Sequence, residues 1–148
     1  MLSDMLISRA LFPGRGGSGG GITVMTAKRD GEDWSSYPFI DAMGLYRLFD
    51  TVPTVEQLCK ATLICGVDQG DSPDAFEIKQ LYPQGDNPDD GVIEEDGFIY
   101  GGYRNYPLFM AFPTDEVAEM FGATKGIWFI DDTMTPLSVY KSVTLAYV

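Results

Sequence analysis

Val92-Ile93-Glu94-Glu95-Asp96-Gly97-Phe98-Ile99-Tyr100 reads as two short strands folded about a tight turn. The turn is Glu95-Asp96-Gly97, because an Asp-Gly pair supplies the positive backbone angles that a two-residue hairpin loop demands. Outward from this hairpin the same grammar repeats. Residues 106–112 form an apolar strand, residues 126–130 (GIWFI) another, and residues 138–148 a third, the last two completing a meander around the loop 131–136. On the other side, residues 75–81 alternate Phe76, Ile78 and Leu81 with Glu77, Lys79 and Gln80, the pattern of a half-buried strand. Residues 61–67, 44–49 and 22–28 read as strands as well, and the aromatic stretch 34–39 is broken by Pro38.

Two short helices punctuate the strands. Thr54-Val55-Glu56-Gln57 has the form of a capping box, in which the Thr54 hydroxyl and the Gln57 side chain satisfy each other's free backbone donors, so a turn or two of helix runs to about Lys60. Thr114-Asp115-Glu116 opens the second, with acids where the helix dipole favours them and Gly122 closing it. Neither is long enough for a parallel crossover, which needs a dozen residues or more. About eight strands at short spacing with two short helices therefore predict a mainly β fold, an antiparallel β-sandwich or open barrel.

A different composition precedes the β region. Residues 1–13 are apolar, residues 14–21 are almost all glycine, and residues 22–148 form one acidic domain of a size to hold a single core. Ser3 caps a short helix whose apolar side is Leu2, Met5, Leu6 and Ala10, widened by Ile7 and Leu11, and Pro13 ends it. A helix this short does not hold by itself in water. It either folds back on its own domain or docks on another subunit, and the flexible glycine run favours the second, with Leu2, Met5, Leu6, Leu11 and Phe12 as the anchor. Asp4 stands where a signal peptide would carry basic residues, so the segment reads as retained.

Charge and composition exclude several partners. A net charge of −12 repels nucleic-acid phosphate and anionic membrane surfaces, and no apolar run approaches the ~20 residues of a membrane-spanning helix. No direct nucleic-acid or membrane partner is expected.

The chemistry-bearing residues are sparse. The chain has no histidine, which removes Ser-His-Asp and Cys-His nucleophile systems and histidine zinc sites. Cys59 and Cys65 are two thiols without a third soft ligand, and read as reduced core residues. Gly14-Arg15-Gly16-Gly17-Ser18-Gly19 matches a dinucleotide fingerprint by letter, but it neither follows a strand nor opens a helix, so it reads as a linker. Asp86, Asp89, Asp90, Glu94, Glu95 and Asp96 have no calcium-loop spacing and read as a solvated rim, and Asp131-Asp132 reads as a turn. No cofactor, metal or catalytic residue is expected. The aromatics are mostly core, but the glycine-flanked Tyr100, Tyr103, Arg104 and Tyr106 make a candidate contact surface of low entropic cost.

The order of these phrases, an apolar peptide and glycine run, then GLYRLFD, VPTVEQLCKATLI, GIWFID and VYKSVTLAYV, resembles small structural proteins from the tail or virion modules of phages and prophages of gut bacteria. The resemblance implies a virion component without enzymatic activity, assembled in the bacterial host cytoplasm. It would dock on other virion structural proteins and be present as a homo-oligomer. Two other classes are weighed beside it: an acidic inhibitor imitating nucleic acid before a basic host protein, and a carbohydrate-binding β module using Trp34 or the surface at residues 100–106.

Overall fold

A computed structural model of the chain describes residues 21–67, 76–80, 91–102, 109–133 and 136–148. The strands are β1 (Thr23–Lys28), β2 (Phe39–Ile40), β3 (Leu45–Phe49), β4 (Thr62–Val67), β5 (Phe76–Gln80), β6 (Gly91–Glu95), β7 (Phe98–Gly102), β8 (Phe109–Phe112), β9 (Gly126–Ile130) and β10 (Tyr140–Tyr147). The helices α1 (Val55–Cys59) and α2 (Asp115–Met120) join them, with a single 3-10 turn at Leu137–Val139. Two antiparallel sheets result, one ordered β1-β10-β4-β5 and the other β2-β3-β9-β8-β7-β6. This is the expected sandwich-like arrangement, and the strands among the described residues close no barrel.

The local elements follow from their residues. Asp96 and Gly97 both adopt positive φ, 53° and 87°, and Glu95 pairs with Phe98, so the Asp-Gly loop closes the β6–β7 hairpin. At α1 the capping box is complete: Thr54 Oγ1 accepts the Gln57 N–H at 3.1 Å and Gln57 Oε1 accepts the Thr54 N–H at 2.9 Å. At α2, Thr114 Oγ1 accepts the Val117 N–H. That helix ends at Gly122 (φ 68°), whose N–H reaches the Glu119 carbonyl while Ala123 N–H reaches that of Ala118. Only a left-handed residue allows this paired closure, hence the glycine.

The two sheets bury one face of each against the other. Val143, Leu145 and Tyr147 on β10, Leu63 and Cys65 on β4, and Ala27 on β1 pack inward against Ile127 and Phe129 on β9, Phe109 and Ala111 on β8, and Ile99 on β7. The outer face of the six-stranded sheet holds a second cluster, in which Leu45, Phe112 and Trp128 are covered by Ala118 of α2 with Val117 and Phe121 beside it. That explains the unbroken apolar runs GIWFI and FMAF: these central strands are buried on both faces.

Three expectations are corrected. β9 and β10 are not successive strands of a meander, since they lie in different sheets and β10 is inserted between β1 and β4. The last strand starts at Tyr140 rather than Ser138, because Leu137–Val139 turn as a 3-10 helix and bury Leu137. Ten strands form among the described residues instead of about eight: Pro38 halts the chain only until Phe39, where β2 pairs with β3. A bulge at Arg47/Phe49 turns both Leu48 and Phe49 into the core, a departure from alternation that LYRLF does not announce.

Candidate interaction surface at the open edge

The inward faces of β1 and β3 meet at one margin of the sandwich. Between them lies a cleft of about 390 Å³ lined by Met25, Thr26, Tyr37, Pro38, Arg47, Leu48, Phe49 and Asp50. The segment after β1 shapes it. Trp34 is 1% exposed and its indole Nε1 donates to the Leu137 carbonyl at 3.1 Å, which pins the loop to the 3-10 turn. Its ring lies 5.4 Å from that of Tyr37, whose hydroxyl accepts the backbone N–H of Lys28 at 3.0 Å. Tyr37 thus covers one end of the β1 edge with a side chain in place of a neighbouring strand.

The other wall is set by β3. Arg47 Nη1 donates to Thr124 Oγ1 at 2.9 Å and to the Lys125 carbonyl at 3.2 Å, so its guanidinium ties β3 to the loop before β9. Pro38 keeps its carbonyl free for the Arg47 N–H at 2.9 Å. Tyr46 stacks on the exposed Phe39 at 4.4 Å, and burial, helped by the charges of Asp131 and Asp33, raises its phenol pKa above the ordinary value. Asp33 is held below the usual carboxylate range by hydrogen bonds from the Ser35 hydroxyl (2.6 Å) and N–H (3.0 Å), with Arg29 adding to the effect. The lining mixes the apolar Met25, Pro38, Leu48 and Phe49 with the polar Thr26, Tyr37, Arg47 and Asp50, which suits contact with a peptide.

The residues singled out from sequence are dispersed. Tyr100 is 38% exposed on β7, opposite Met110 of β8, while Tyr103, Arg104 and Tyr106 lie outside the described residues. Leu2, Met5, Leu6, Leu11 and Phe12, the glycine run to residue 20, and Asp86, Asp89 and Asp90 lie outside them too. Glu94, Glu95 and Asp96 are exposed at the hairpin tip, and no three metal-ligating side chains converge among the described residues. Asp131 Oδ1 accepts the Ser138 N–H at 3.3 Å, a loop-closing role in keeping with the turn. Cys65 is buried, whereas Cys59 is only half-buried; neither is in a disulfide, and burial raises the Cys59 pKa against a smaller opposing pull from Lys60. Trp34 cannot serve as a sugar platform, because its ring is enclosed and its one donor is used internally.

The cleft and the β1 edge were not legible beforehand. Their signal was present only in part, as a strand without acids followed by an aromatic loop, and which strands flank β1 depends on pairing with β10 more than a hundred residues away. No helix among the described residues is long and apolar enough to cross a membrane. No family model matches the chain, and neither curated proteins nor solved structures show a significant match to it.

Proposed function

We propose that the chain is a structural and assembly component of a phage-like virion, a non-enzymatic protein that docks through residues 1–13 and displays the β domain beyond the glycine linker. The observation that carries this reading is the open margin of the sandwich. An edge strand lies beside a partly apolar cleft, and Val24 and Phe39 are exposed there at 43% and 45%, a surface suited to binding another polypeptide. The resemblance in phrase order supplies the setting, and the acidic composition suits a protein held soluble at high local concentration. Apolar anchors such as Leu2, Leu6 and Phe12 each contribute about 1.5 to 3 kcal/mol when buried, enough together for stable docking after ordering costs. The test is deletion of residues 1–21 in a phage or prophage that encodes the chain. The truncated protein is expected to fold and to be missing from purified particles, and its incorporation at the normal level would refute the anchor.

A further inference from the structure

The geometry points to a second copy of this chain as the occupant of the β1 edge, the two β1 strands pairing antiparallel about a two-fold axis at Val24 and joining two four-stranded sheets into one. The hydrogen-bond directions define the edge. Arg29 N–H reaches the Lys141 carbonyl of the loop-side end of β10, whereas Lys28 N–H points the other way, to Tyr37. Backbone groups alternate along a strand, so the N–H and C=O of Val24 and Thr26 also face away from β10, and they have no partner among the described residues.

Two other edges among the described residues carry protection that β1 lacks: β2 is two residues long and follows Pro38, and β6 ends in the exposed Glu94 and Glu95. β1 pairs with β10 through six residues without a bulge, contains no proline, and has its one charge at the last position. Such an edge is a template for another strand. Tyr37 blocks it at Lys28, which leaves residues 22–26 for pairing and sets the register: Val24 opposite Val24, Ile22 opposite Thr26.

Self-pairing is favoured over another partner by two features. The row that would become continuous is uncharged, with Thr26 bonded to Thr144 at 3.0 Å and the buried Ala146, Thr62 and Ile64 behind it. Charge is also distributed unevenly along the chain. Residues 5–29 hold Arg9, Arg15, Lys28 and Arg29 and no acid, whereas every acid except Asp4 lies from Asp30 onward. Two copies, each with a net charge of −12, therefore meet with the least repulsion at β1, where they bring together their least acidic parts.

The inference rests on the assembly reading in that copies must meet, but it is tested apart from the anchor. Sedimentation of the full chain is expected to give twice the 16.3 kDa of one copy. Val24→Pro, which removes an edge donor without touching the β10 side, should give the single-copy mass and a urea midpoint that no longer depends on protein concentration. In a Cys59→Ser background, Val24→Cys should form a disulfide-linked dimer under mild oxidation many times faster than Val139→Cys, an equally exposed control. If Val24→Pro fails to fold, the cross-link rates decide. A monomeric full chain, or a dimer in which the two cysteine variants cross-link alike, overturns the β1 pairing. Particles that lose the truncation while the full chain stays monomeric would leave the anchor standing and remove only this seam.

Discussion

Gly126 occupies a position that tolerates no side chain. Its φ of 146° is glycine territory, and a Cβ there would meet the Phe49 carbonyl and lie 2.7 Å from Arg47 Cδ. Gly126→Ala should cost about 2 kcal/mol or more, read as a lower urea midpoint with unchanged slope. Trp34→Phe keeps most of the packing but removes one of two donors to the Leu137 carbonyl, which retains the Tyr140 N–H, an expected loss of about 1 kcal/mol in the same measurement. The Asp33 pair is a matter of titration. Because its carboxyl is depressed in the folded chain, its contribution is complete above the unfolded value near pH ~3.9 and is lost as pH falls through the lower folded value. Ser35→Ala should return Asp33 toward that ordinary value in an NMR titration. At this scale the sequence marked most aromatics correctly as core, but Trp34 was also weighed as a sugar contact, since nothing local shows that Leu137, 103 residues on, supplies its acceptor.

Elements whose cause is local were the most readable ones. The Thr54–Gln57 box, the Thr114 cap, Gly122 and the Asp96-Gly97 turn each act within five residues, so side-chain chemistry alone identified them. Thr54→Ala should cost about 1 kcal/mol by removing the acceptor for Gln57 N–H, and Gln57→Ala should add its own smaller loss, since its Oε1 accepts from the backbone N–H of residue 54, which alanine keeps; near-additivity in a double-mutant cycle by denaturant unfolding checks this. What the sequence left hidden at this scale depends on distant strands. The bulge at Leu48 and Phe49 answers to β9, the 3-10 turn at Leu137–Val139 answers to Trp34, and β2 exists only because β3 is there to pair with it.

For the whole molecule, the two sheets are held by pairings of very different sequence separation. The β6–β7–β8–β9 run is local, while β1 and β4 are both stitched to β10. A fold in which β1 and β4 await β10, and β3 awaits β9, should refold in milliseconds to seconds rather than microseconds, as stopped-flow fluorescence of Trp34 and Trp128 would show. The same layout limits what could be foreseen of the candidate surface. The strand β1 was recognised, but its standing as an edge is a property of sheet order and of no residue within it.

That order also has a consequence during synthesis. Thr26 and its partner Thr144 are 118 residues apart. At roughly 5 to 20 residues per second, a ribosome needs several seconds or more to produce β10 after β1 has been made. Through that interval β1, an edge strand even in the finished molecule, has neither flank occupied, and nascent chains on one polysome carry it side by side. The yield of native protein should therefore depend on translation speed and chaperone supply as much as on the stability of the completed sandwich.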